Sequence, residues 1–132
     1  YSIYNDGSVR EFQRRTSQFT PGKNFASTGG FGPWMMTPDE VGDINAMELT
    51  TRLNGEVMQH ALSSQLVFGF AELIEYCSTF IELVPGDVIV TGTPGGVGAA
   101  RKPPVFMDDG DLVEVEVKPI GTLSNPVVAE HP

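Results

Sequence analysis

Val84-Pro85-Gly86-Asp87-Val88-Ile89-Val90-Thr91-Gly92-Thr93-Pro94-Gly95-Gly96-Val97-Gly98 is the stretch around which the 132-residue chain is read. A Pro-Gly turn leads into Asp87-Val88-Ile89-Val90, an apolar run that predicts a buried strand. The run ends in Thr91–Gly98, where four glycines and one proline within eight residues allow a sharp turn and a close approach to a small ligand. Thr91 and Thr93 stand where the strand would emerge, so either hydroxyl could point into a pocket. No Gly-Lys-Ser/Thr follows, so it is not a phosphate loop of the G-x-x-x-x-G-K-[ST] type, and a nucleotide-binding loop at Thr91–Gly98 would need phosphate affinity independent of divalent metal. By itself the stretch is a Gly-rich turn closing a sheet, and its functional weight comes from its neighbours.

Upstream, Tyr1-Ser2-Ile3-Tyr4 alternates as a short strand and ends in the turn Asn5-Asp6-Gly7. Asp6 at a strand end could offer an oxygen to a hard cation such as Mg²⁺. Ser8 is a candidate cap for a helical turn to Gln13, on which Arg10 and Gln13 share a face. A guanidinium beside an amide suits a substrate carboxylate. Lys23 follows a Pro21-Gly22 turn between Phe19 and Phe25, a setting that would partly desolvate it and let it hold an anionic oxygen. Thr28–Trp34 reads as a loop packed down by its aromatics. Thr37-Pro38-Asp39-Glu40 has the form of a capping box with proline at the first helical position.

The strongest local signal is Glu48–Leu53, Asn54-Gly55 and Glu56–Ala61, a β-hairpin with a type I′ turn. His60 on its return strand is read as structural. Apolar residues at 3- and 4-residue spacing predict one amphipathic helix over 70–81, with Cys77 on its buried stripe. Asp111–Lys118 alternates, with Val113, Val115 and Val117 inward and Glu114, Glu116 and Lys118 outward. Ile120–Leu123 would add a last strand, broken at Asn125-Pro126. The expected class is α+β and strand-dominated, in a single domain with one core.

A net charge of −9 argues against nucleic acid, which needs clustered Lys and Arg. The basic residues Arg10, Arg14, Arg15 and Lys23 nevertheless crowd the first two dozen positions, which suits a small anionic substrate. No apolar run approaches a membrane span, and no charged-then-apolar leader opens the chain. The lone Cys77 forms no internal disulfide, and no Cys/His zinc spacing exists, which favours a reducing cytoplasm.

Together these motifs resemble the fumarylacetoacetate hydrolase family. The resemblance rests on Asn5–Gln13, Pro21–Phe25, Gly32-Pro33-Trp34, Leu53–Glu56, Pro85–Ile89, Thr91–Gly98, Gly110–Glu116 and Ile120–Pro126, in order and at similar spacing across essentially the whole chain. It implies a mixed β-roll of the family's C-terminal domain type, usually a homodimer, with a divalent metal, usually Mg²⁺ (Mn²⁺ or Ca²⁺ as alternatives). It implies a metal-dependent hydrolase that cleaves a carbon–carbon bond in a 2-oxo or 1,3-diketo acid such as an acylpyruvate. The alternatives are an isomerase or decarboxylase of a hydroxymuconate-type diacid from aromatic catabolism, or a non-catalytic binding module of the same fold. By position, Asp6 matches a metal ligand and Lys23 the catalytic lysine beside the metal. Arg10 and Gln13 match residues that line the substrate pocket, while Gly92 and Thr93 match the pair that holds the substrate carboxylate. Ser27 falls where some members have a threonine near the metal. Glu11 replaces a more usual aspartate. The family's paired glutamate ligands and its water-activating His/Glu pair have no counterpart here, so residues 1–132 are expected to be the C-terminal part of one longer catalytic domain.

Overall fold

Val113, Val115 and Val117 alternate along β5 (Leu112–Lys118) and are 5–8% exposed, which makes this strand the spine of the core. Burying each such side chain is worth roughly 1.5–3 kcal/mol. In the computed structural model, which describes residues 1–130, β5 lies between β3 (Glu48–Leu53) and β6 (Gly121–Pro126). β4 (Glu56–Leu62) lies outside β3, giving a four-stranded antiparallel sheet of order β4-β3-β5-β6. On the outward face Arg52 pairs with Glu116 at 2.8 Å and Lys118 with Glu48 at 3.1 Å.

The β3–β4 turn is as expected. Asn54 and Gly55 have φ of +51° and +84°, the left-handed pair that a type I′ hairpin requires. The Asn54 side chain also joins this turn to the start of β5: its Nδ2 donates to Asp111 Oδ1, and Leu112 N donates to its Oδ1, both at 2.8 Å. The hairpin is not regular throughout. Thr51 pairs with Gln59 and Arg52 with Val57, so Met58 is an extra residue in β4, a β-bulge. β6 runs on through Asn125-Pro126, where a break was expected. It is an edge strand, and proline is tolerated where no ladder donor is needed.

A second, two-stranded sheet joins β1 (Ile3–Asp6) to β2 (Gly29–Gly32), so part of the expected loop Thr28–Trp34 is a strand. Its glycines admit side chains from both neighbours. A Cβ on Gly29 would lie 2.4 Å from Tyr4 Oη, and one on Gly30 would lie 2.5 Å from Asn125 Oδ1. β2 is thereby pressed between β1 and β6. Ile3 joins Val41, Met47, Val115, Val117, Ile120 and Leu123 in one buried cluster that links the two sheets.

Three short α-helices lie among the described residues, α1 (Arg10–Gln13), α2 (Pro38–Val41) and α3 (Phe70–Ser78), beside three single 3-10 turns. The Thr37/Glu40 capping box forms as read. Ser8 does not cap α1; Val9 is its N-cap, and Ser8 Oγ donates to the Asp6 carbonyl at 3.2 Å. α3 is the expected amphipathic helix but stops at Ser78. Of its stripe, Phe70, Leu73 and Cys77 are only half-buried, and Ile74 is 52% exposed. Cys77 is therefore not core.

The largest departure concerns Asp87–Val90. The run has no regular structure and forms no ladder among the described residues, and Val88 and Val90 are 55% and 48% exposed. Its apolar character reads as a strand, but a ladder needs a neighbouring edge. The nearest edge, β4, meets the following Gly-rich loop through side chains instead.

Candidate active site

The site begins where β1 ends. Asp6 closes the strand, and Gly7 passes so close beneath Thr28 that a Cβ there would lie 2.3 Å from the Thr28 carbonyl oxygen. The chain then turns into α1, which places Arg10 and Gln13 on one face. Arg10 Nη1 donates to Gln13 Oε1. That bond occupies the acceptor end of the amide and leaves its NH₂, with the remaining guanidinium N–H groups, free to donate. Gln13 is 6% exposed, so its direction is set by packing.

Pro21-Gly22 forms the 3-10 turn Thr20–Gly22 and seats it on α1. Val9 N donates to the Gly22 carbonyl at 2.9 Å, and the absent Gly22 side chain is what lets the turn meet Gln13. Lys23 leaves this turn with its Nζ 2.5 Å from Asp6 Oδ2; the two side chains are 25% and 32% exposed. The ammonium is thus fixed at one corner and keeps two further N–H groups to offer. The expected aromatic flank is only partly present. Phe25 packs edge-on against Phe12 at 4.9 Å, whereas Phe19 is 61% exposed.

The opposite wall is the Gly-rich loop held against β4. Gln59 Nε2 donates to Thr93 Oγ1 at 3.0 Å and to the Pro94 carbonyl at 2.8 Å. The bulge leaves the Met58 carbonyl outside the ladder, and Arg101 Nη2 donates to it at 2.7 Å while its Nε donates to the Gly96 carbonyl at 3.2 Å. Gly96 lies against the same carbonyl, where a Cβ would come within 2.2 Å, at a φ of +104°. Gly92, with φ of +116°, provides the bend that presents Thr93.

Between these walls lies a cleft of about 330 Å³ lined by Asp6, Arg10, Gln13, Lys23, Gly92 and Thr93, all six marked in the sequence. Ser27 does not line it; that residue sits exposed in a turn at φ of +58°. Three further polar residues were not singled out as site residues in the sequence. Gln59 and Thr51 line the cleft, and Arg101 braces its loop. His60, read as structural, faces away from this cleft and approaches Thr50 Oγ1 at 3.2 Å and Glu48 Oε1 at 3.8 Å. A larger apolar groove of about 970 Å³ adjoins the cleft across Val90–Pro94 and runs along α3.

The family resemblance implies a divalent metal at this cleft. Asp6 is the one carboxylate lining the cleft, its Oδ2 is engaged by Lys23, and the described residues contain no group of three His, Cys, Asp or Glu side chains that could hold an ion. A Mg²⁺ shell needs about six oxygens. One carboxylate does not fit that requirement.

Comparison with known proteins supplies the wider frame. The family model described as fumarylacetoacetate (FAA) hydrolase C-terminal matches residues 1–128. A mitochondrial oxaloacetate tautomerase of Bos taurus is 43% identical over 130 residues, covering 97% of this chain and 41% of the relative. A fumarylacetoacetate hydrolase from psychrophilic Exiguobacterium antarcticum superposes with a TM-score of 0.93 at 38% identity, covering 98% of this chain and 47% of that one. A 5-carboxymethyl-2-hydroxymuconate delta-isomerase from Mycobacterium smegmatis does so with a TM-score of 0.86 at 41% identity, covering 98% and 48%. This chain therefore spans less than half the length of each of these three relatives.

Proposed function

Because the chain belongs to the fumarylacetoacetate hydrolase family, we propose that its cleft binds a small 2-oxo dicarboxylic acid and moves it between keto and enol forms. The observation that carries this reading is the Lys23–Asp6 pair at 2.5 Å, set between two groups of neutral and cationic donors in one cleft. The names of the tautomerase and isomerase relatives favour isomerisation over the carbon–carbon hydrolysis that the resemblance first suggests.

The chemistry needs little machinery. As C3 loses a proton to a solvent water, the C–H electron pair forms the C2–C3 double bond and the carbonyl electrons move onto oxygen. The oxygen then takes a proton from Lys23 Nζ, giving the enol, and the hydronium formed at C3 returns a proton to the lysine through solvent. Lys23, held by Asp6, donates to that oxygen as its charge develops, which lowers the barrier without prior reorganisation. Arg10 and the free NH₂ of Gln13 receive one carboxylate. The Gly92–Thr93 corner receives the carboxylate beside the 2-oxo group. Asp6 is the oxygen this chain offers to a divalent cation such as Mg²⁺, and no step above passes through that ion. With no carboxylate but Asp6 at the cleft wall, two anionic groups enter a locally basic site.

We carry the homodimer as part of the same reading, with light scattering as its check. For the compartment, the tautomerase relative is mitochondrial, and we place this chain in a reducing, cytoplasm-like setting on its single Cys77. No helix among the described residues is long and apolar enough to cross a membrane.

The test follows enol and keto oxaloacetate by ultraviolet absorbance and analyses the products. Accelerated exchange without loss of carbon supports the proposal. Release of two acid products from an acylpyruvate would make the protein a hydrolase, loss of carbon dioxide a decarboxylase, and binding without turnover a binding module. Any of those three refutes the tautomerase reading.

A further inference from the structure

Among the described residues Gln59 is the one side chain that hydrogen-bonds the Gly-rich loop at two successive residues, and both bonds constrain proton positions. The Pro94 carbonyl oxygen can only accept, so the group 2.8 Å from it is the Gln59 NH₂ and not its oxygen. That fixes the amide orientation without reference to the second contact. The same nitrogen lies 3.0 Å from Thr93 Oγ1 and therefore donates its other hydrogen there. Thr93 Oγ1 is left as an acceptor towards Gln59, with its own hydrogen free. Among the described hydrogen bonds that hydrogen has no acceptor, and Thr93 lines the cleft.

We propose that Gln59 is a positioning residue that holds the Thr93 hydroxyl as a hydrogen-bond donor towards the substrate carboxylate. This rests on the reading that the Gly92–Thr93 corner receives that group. An amide donating into a hydroxyl polarises the O–H bond and strengthens its onward bond to an anion. The bulge at Met58 is the device that makes this possible. Gln59 pairs with Thr51 directly after the extra residue, and Arg101 secures the extra residue itself by binding the Met58 and Gly96 carbonyls. The loop is thus attached to β4 at Thr93-Pro94 and at Gly96, which fixes both the place and the direction of the hydroxyl.

The test is a double-mutant cycle of Gln59→Met and Thr93→Val, read as KM and kcat for oxaloacetate, with Tm recorded for each variant. Thr93→Val is expected to raise KM more than about tenfold with kcat little changed, since the contact is made in both ground and transition states. Gln59→Met is expected to raise KM about tenfold in the parent and less than about twofold in the Thr93→Val background. Gln59→Glu, which keeps size and shape, turns the Thr93 hydrogen inward and opposes an anion, so its KM rises further. It also serves if the Met variant does not fold.

Equal KM effects of Gln59→Met in both backgrounds would make Gln59 merely structural and overturn the proposal. So would an unchanged KM in the Gln59 variants while Thr93→Val raises it, and in that case the carboxylate corner would stand. An unchanged KM in Thr93→Val would remove the corner itself and this proposal with it. Absence of oxaloacetate turnover in the parent would refute the underlying function.

Discussion

Replacing Gly22 by alanine should damage the site through sterics alone. An added Cβ would lie 2.6 Å from Gln13 Cβ, 2.7 Å from Gln13 N and 2.8 Å from Gln13 Cα. Ordinary contact begins near 3.4 Å, so the turn must retreat by about 0.8 Å from a helix whose backbone cannot rotate away. Gly22 has no left-handed φ, so no backbone penalty is mixed with the clash. Overpacking of this kind costs about 1–3 kcal/mol. At roughly 3–5 °C per kcal/mol for a domain of this size, Tm should fall by about 3–15 °C. The retreat also carries Lys23, the next residue, off the Asp6 carboxylate and disturbs Gln13. A misplacement near 1 Å costs about 100-fold in rate. The assay pairs thermal melting with kcat/KM, and Gly95→Ala is the control. Nothing lies within 4 Å of a Cβ at Gly95 and its φ is unexceptional, so that variant should stay within about 0.5 kcal/mol of the parent. An unchanged Tm in Gly22→Ala would refute the packing argument. A lowered Tm with unchanged kcat/KM would refute the claim that this turn aims Lys23.

Lys23→Ala should lower kcat by about 100- to 1,000-fold with a small change in Tm, because the partner Asp6 is 32% exposed and can be solvated. Unaltered kinetics would remove Lys23 from the chemistry. Asp6→Ala should lower kcat about 10- to 100-fold, because Lys23 loses the carboxylate that holds its ammonium in place, and an unaltered kcat would remove Asp6 as the anchor of Lys23. The carboxyl pKa values of Asp39, Glu40 and Asp111 are lowered, by the Thr37 hydroxyl for the first, the Thr37 backbone for the second and the Asn54 side chain for the third. Groups lowered on folding contribute stability that is complete above the ordinary carboxylate range and lost as pH falls through their folded values. The urea midpoint should therefore drop below about pH 4, and Asp111→Asn should shallow that drop. An identical acid slope in Asp111→Asn would contradict the assignment.

The sequence was legible where a signal is local. Asn54-Gly55 needs only two residues to specify its turn, and the valines of β5 declare their inward face by period alone. β2 escaped because Gly29–Gly32 carries almost no side chains to alternate; its place is decided by Tyr4 and Asn125, which lie over it from other strands. Asp87–Val90 misled in the opposite direction, since composition reports apolar character but not whether an edge is at hand. The site residues Asp6 and Lys23, 17 positions apart, were each visible as a type at a turn. Their meeting depends on a glycine contact that no pattern encodes. Gln59 was hidden for a related reason: its role follows from a bulge, and nothing in Glu56–Leu62 marks where the extra residue falls.

That extra residue makes β4 a gauge as well as a strand. Strand side chains alternate between faces, so deleting Met58 would let the β3–β4 ladder close regularly and could even steady the sheet. The deletion would also remove the carbonyl that Arg101 grips and change how Gln59 meets the Thr93-Pro94 corner. Sheet order and loop placement therefore pull in opposite directions at one position, and a variant chosen only for stability would tend to erase the irregularity on which the cleft wall depends. Chain length within Glu56–Leu62 is the quantity to hold constant when this scaffold is redesigned.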